Sequence, residues 1–79
     1  MVAISPLLVS AQQERWVLRG QKAMQAQDYP KAIEYFEWAT KKEGNLQAYE
    51  GLGNCYWEIK AYNQSVKNYR LATEYAACT

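Results

Sequence analysis

The chain predicts an all-α fold of antiparallel helix pairs stacked twice in the same way, and three observations predict it. Shifted by 33 residues against itself, the sequence matches at spaced positions: Trp16 on Tyr49, Gly20 on Gly53, Tyr29 on Tyr62, Ile33 on Val66, Phe36 on Tyr69 and Ala39 on Ala72. A period of that size marks a repeat array in which no unit buries its apolar face alone. Within each period the apolar residues recur at helical spacing, and the short polar breaks between them force each helix back alongside its predecessor.

The elements follow in order. Residues 1–10 form an apolar N-terminal segment with Val2, Ala3, Ile4, Leu7, Leu8 and Val9 around Pro6; the first charged residue is Glu14. It lacks a basic lead and is too short for an ordinary signal peptide or a membrane span. It is read either as a disordered tail or as an element docked over apolar surface. Ser10 with Gln13 reads as a capping box, which starts the first helix near residue 11 and carries it to about 26 through Trp16, Gly20, Ala23 and Met24. Asp28 is expected to cap the second helix and Pro30 to sit harmlessly in its first turn. That helix is expected to reach about Lys42, with Ala32, Ile33, Phe36 and Ala39 on one stripe and Gly44 as a left-handed stop. Asn45 caps the third helix, which carries Tyr49, Leu52, Gly53, Tyr56 and Trp57. A turn at Ala61-Tyr62-Asn63 precedes a last helix from about Gln64 to Ala76. Gly20 and Gly53 occupy equivalent mid-helix sites, where Gly costs about 1 kcal/mol relative to Ala. Each faces a small residue twelve positions on, Ala32 or Ser65, so a close helix crossing is the expected reason.

Composition narrows the function. At 79 residues there is room for one domain, and a chain of that size buries only roughly 60–65% of the surface its unfolded form exposes. Nine basic and eight acidic side chains leave a net charge of +1, too little field to recruit nucleic acid or an anionic membrane. With no His, and with Cys55 and Cys78 as the only sulfurs besides two Met, the chain offers no metal or cofactor set. Cys55 reads as a small buried thiol, and the cysteine usage points to a reducing, cytoplasmic compartment. Nor is there a phosphate loop or a nucleophile with a base at hand, so the chain is not expected to be an enzyme. Glu34 and Glu37 read as a solvated face.

The run Tyr49-x2-Leu52-Gly53-x2-Tyr56 followed by Tyr62, Ser65, Tyr69 and Ala72 resembles the tetratricopeptide repeat, with signature W-x2-L-G-x2-Y, then A, F and P. Trp16, Gly20, Tyr29, Ala32, Phe36 and Ala39 fit the same frame in the first copy. The resemblance covers a domain of residues 11–79, with repeats at 13–45 and 46–78. Departures are Arg19 for Leu, Ala23 for Tyr, Ser65 for Ala, the missing closing Pro, and a period one residue short of the usual 34. The resemblance implies a short right-handed α-solenoid whose first helices line a concave groove for a peptide or helix of a protein partner. By position, that groove takes Glu14, Val17, Leu18, Gln21, Met24 and Gln25 from the first copy and Gln47, Glu50, Gly51, Asn54, Trp57 and Glu58 from the second. Val17, Gln21 and Gly51 stand where some members clamp a terminal carboxylate with Lys and Asn, so that clamp is not expected.

Met24 and Trp57 lie one residue past the core positions and point to the groove, unless they serve packing. Trp38 and Leu71, equivalent late positions of the second helices, should face outward or toward a neighbour. Two repeats fall short of the roughly three such arrays need. The last helix should therefore leave Tyr62, Val66, Tyr69 and Tyr75 partly uncovered, as part of a longer array or, the favoured reading, because copies associate into a homo-oligomer. The expected function is an adaptor or assembly factor; the alternative is a structural unit whose main partner is its own copy.

Overall fold

The computed structural model describes residues 6–78, with side chains from Ala11 to Ala77, so residues 1–5 of the N-terminal segment lie outside the described residues. Four α-helices follow one another: α1 (Pro6–Gln25), α2 (Tyr29–Ala39), α3 (Leu46–Glu58) and α4 (Tyr62–Cys78). No strand occurs among the described residues.

The starts of α2 and α3 are side-chain capped as expected. Asp28 Oδ1 accepts from the Lys31 amide at 3.4 Å, and Asn45 Oδ1 accepts from the Ala48 amide at 2.9 Å. The start of α1 differs from expectation. The helix already runs from Pro6, whose missing N–H is harmless in a first turn, and Ser10 lies within it rather than capping it. Gln13 does not cap either, because its Nε2 donates to the carbonyls of Ala39 (3.1 Å), Glu43 (2.8 Å) and Gly44 (3.3 Å). One amide of α1 thus satisfies the last carbonyl of α2 and fastens the loop that leads into α3. The same arrangement ends α2 at Ala39, short of the expected Lys42, with the Thr40 hydroxyl donating back to Glu37 O at 3.1 Å.

Two reversals of the chain are made identically, 33 residues apart. Gln27 (φ 61°) and Lys60 (φ 66°) hold left-handed backbone. Gln27 N–H donates to Met24 O at 2.8 Å and Asp28 N–H to Ala23 O at 2.9 Å; Lys60 N–H donates to Trp57 O at 3.0 Å and Ala61 N–H to Tyr56 O at 2.8 Å. These are Schellman closures, and they satisfy carbonyls that the ends of α1 and α3 would leave bare. The expected turn at Ala61-Tyr62-Asn63 is therefore displaced to Lys60, and Asn63 is inside the first turn of α4. Gly44, expected as a left-handed stop, has no positive φ. Its need for hydrogen is steric, since a Cβ there would stand 2.9 Å from the Tyr75 ring and 3.1 Å from the Tyr49 hydroxyl.

Packing runs in chain order. α1 lies on α2, α2 on α3 and α3 on α4, with a thinner contact of α1 on α3; among the described helices α4 packs on α3 alone. The core gathers Val17, Ala32, Phe36, Ala39, Ala48, Leu52 and Cys55, flanked by Trp16, Met24, Tyr29, Tyr49 and Tyr56. Phe36 is its centre. A Cβ on Gly20 would meet the Phe36 ring at 2.7 Å, and one on Gly51 would meet it at 2.5 Å, so the ring fills the space between glycines of α1 and α3. The mid-helix glycines are thus explained by rings sixteen residues on, Phe36 and Tyr69, more than by small partners alone. The second crossing does use its small residue, for the Ser65 hydroxyl, fully buried, donates to Gly53 O at 2.8 Å. No described helix is long and apolar enough to cross a membrane.

Candidate binding groove

Placing α1 and α3 side by side across Phe36 leaves a trough between them. Its middle, about 420 Å³, has Phe36 and Gly51 as floor and Gln21, Met24, Gln25, Gln47, Glu50 and Asn54 as walls. Toward the start of α1 it continues into a smaller hollow bounded by Glu14, Val17, Leu18, Gln21 and Gln47. Beyond α3, Glu50 and Asn54 also wall a third hollow with Leu46, Tyr69, Ala72, Thr73 and Ala76. Glu50 and Asn54 therefore stand at the ridge that the two larger hollows share. Asn54 is fixed there, because its side-chain oxygen accepts from the Tyr69 hydroxyl.

Of the twelve residues expected in the groove, all but Trp57 and Glu58 line these hollows, Val17, Gln21, Met24, Glu50 and Asn54 among them. They differ in availability. Gln21, Glu50 and Asn54 are exposed, Met24 is half-buried, and Val17 is buried, so it contributes floor more than wall. Gly51 is likewise floor, pressed on Phe36. Trp57 and Glu58 lie outside the trough. Trp57 stays exposed, but its ring rests against Tyr62 at 4.8 Å between centroids, held where the Lys60 turn folds α4 back on α3. The walls carry amides, the Met24 thioether and the carboxylates of Glu14 and Glu50, with no cationic side chain among them.

The groups with displaced proton affinity lie elsewhere. Burial, and then the charge of Glu58, push the Cys55 thiol up to about 11, so it is protonated near neutral pH and is fully enclosed in the core. Burial and the nearby Glu37 carboxylate raise the Tyr56 hydroxyl, which donates to Glu37 Oε2 at 3.3 Å. That contact makes Glu37 more than a solvated side chain, whereas Glu34 pairs only loosely with Lys31 at 3.8 Å. Trp38 is exposed as expected, but it also stacks on Trp16 with centroids 5.8 Å apart.

α4 carries the exposure expected of it: Tyr62, Val66 and Tyr69 are open to solvent and Tyr75 is half-covered. Compared with known protein families, curated proteins and solved structures, the chain matches none.

Proposed function

We propose that residues 11–79 are a two-repeat tetratricopeptide-like domain, a short right-handed α-solenoid, that binds a peptide or helix of a protein partner in the trough between α1 and α3 and performs no chemistry of its own. The observation that carries the reading is the continuity of the trough, whose two hollows share Gln21 on α1 and Gln47 on α3. A channel walled by amides is suited to the backbone groups of a bound segment, and Met24 offers an adaptable apolar contact. Glu14 and Glu50 favour a segment that is neutral or basic. The test is capture of a partner by immobilised wild-type protein against a Met24→Ala/Glu50→Ala variant. Lost capture at unchanged helix content and unchanged oligomer size supports the reading; equal capture by the variant refutes it.

A second reading, self-association, is favoured by one observation. The hollow against Leu46 on α3 and Tyr69 and Ala72 on α4 corresponds by the 33-residue register to the Gln13, Phe36 and Ala39 region where α3 meets the first repeat, and no third helix among the described residues covers it. Sedimentation at micromolar concentration decides: a dimer that becomes monomer in Val66→Lys supports this reading, and a 9.1 kDa species alone excludes it.

A further inference from the structure

A second depression, of about 340 Å³, lies between the first half of α1 and the end of α2, walled chiefly by Arg15, Trp16, Arg19, Trp38, Lys41 and Lys42. Four of the chain's nine basic residues thus converge on one cleft, and no acidic side chain lines it. The two indoles stack at 5.8 Å, the Arg19 guanidinium lies 4.9 Å from the centre of the Trp16 ring, and Lys41 Nζ lies 4.2 Å from that of Trp38. Among the described residues the ion pair found is Lys31–Glu34, so none of the four cations has a carboxylate within salt-bridge distance. Glu34 and Glu37 line a separate, neighbouring hollow with Trp38 and Lys41.

The fold does not call for these charges. By the 33-residue register Arg15 and Arg19 stand where the second repeat has Ala48 and Leu52, and both of those are buried in the core. Among the described residues no earlier helix packs on the equivalent face of α1, and the positions carry guanidinium groups instead. We infer that this cleft binds an acidic peptide segment, its carboxylates paired with Arg15 and Arg19 on one wall and Lys41 and Lys42 on the other. Three features favour that occupant. Residues four apart on a helix present their side chains about 5–6 Å from each other, so the charges are spread along the cleft to meet a run of carboxylates rather than one compact anion. The guanidinium fork matches a carboxylate in two parallel bonds. The indoles supply apolar wall but no landing place for a nucleobase, since each ring already carries the other indole and a cation, and a stacked base needs an open face. Gln13, by fastening the loop after α2, holds the backbone from which Lys41 and Lys42 project.

This site lies on a different face from the trough and does not depend on it. The test is calorimetric titration of the whole chain with a short oligoglutamate peptide, at about 50 mM salt to limit screening. The expected result is saturable binding that weakens about tenfold or more in Arg15→Gln/Arg19→Gln, because two charge-assisted contacts are lost, and survives in part in Arg15→Lys/Arg19→Lys. Lys67→Gln/Arg70→Gln removes the same net charge from α4 and is expected to bind like wild type. Should Arg15→Gln/Arg19→Gln lose helix by circular dichroism, Lys41→Gln/Lys42→Gln takes its place, with the same loss expected. Absence of saturable binding, equal weakening by the α4 variant, or an oligothymidylate that binds more tightly than oligoglutamate through the same cations overturns the proposal.

Discussion

Two glycines in α3 make a controlled experiment, because Ala is the better helix former at both by about 1 kcal/mol and the surroundings decide the sign. At Gly51 an added Cβ stands 2.5, 2.6 and 2.8 Å from three atoms of the Phe36 ring. Carbon contacts settle near 3.5–4.0 Å, so roughly 1 Å must be found. Phe36 has little room to withdraw, since the ring is almost wholly buried and also lies close against Gly20, where an added Cβ would stand 2.7 Å from it. Overpacking of that kind costs typically 1–3 kcal/mol, which leaves Gly51→Ala a net loss of up to about 2 kcal/mol after the helical gain. At Gly53 the added Cβ would stand equally close, 2.6 Å, to Tyr69, a ring that is partly open to solvent but tied to Asn54 through its hydroxyl, so it can yield further than Phe36 at the expense of that bond. Gly53→Ala is therefore expected to cost less than Gly51→Ala. In a domain of this size each kcal/mol moves Tm by roughly 4–8 °C, so thermal unfolding followed by circular dichroism separates the two variants clearly. Equal melting points, or a Gly51→Ala variant as stable as wild type, would refute the clamped-ring account.

Gln13→Ala removes the amide shared by three carbonyls and should lower stability by about 1–2 kcal/mol in urea unfolding, although the residue is only half-buried. Lys60→Gly relieves a left-handed residue at φ 66° and should raise Tm by an amount worth up to about 1 kcal/mol; a lower Tm would count against the Schellman closure there. Cys55, enclosed and with its thiol raised to about 11, should resist iodoacetamide in the native protein near pH 8 and react after unfolding. The same shift sets a pH dependence. An unfolded thiol loses its proton from about 9.0 while the buried one holds it to about 11, so its contribution is intact below pH 9 and lost as pH rises toward 11, with Tyr56 adding in the same sense above about 10. Stability that rises over that interval would contradict both shifts.

What was legible in the sequence was what local chemistry dictates. The 33-residue spacing of rings and small residues located four helices, and Asp28 and Asn45 announced their caps because the bonds they make lie three residues away. The closures at Gln27 and Lys60 were illegible, since neither residue is the Gly or Asn that usually marks left-handed backbone; only their equivalence under the repeat could have pointed to them. Missing Lys60 placed the last turn too late; in the sequence, the place of Trp57 one residue past a core position points it to the groove, whereas its ring lies against Tyr62. Ser10 and Gln13 misled for a different reason: the pattern of a capping box was present, but Gln13 is committed to carbonyls 26 to 31 residues away. The basic cleft was hidden because its four cations lie in two short stretches that come together only when α2 folds back on α1.

The groove exists only if α1 and α3 flank one ring. Nuclear Overhauser contacts from the Phe36 ring protons test this directly, and the expected result is strong cross-peaks to the Hα protons of both Gly20 and Gly51. Cross-peaks to Gly20 without Gly51 would leave each helix pair separate, remove the floor of the trough, and contradict the account.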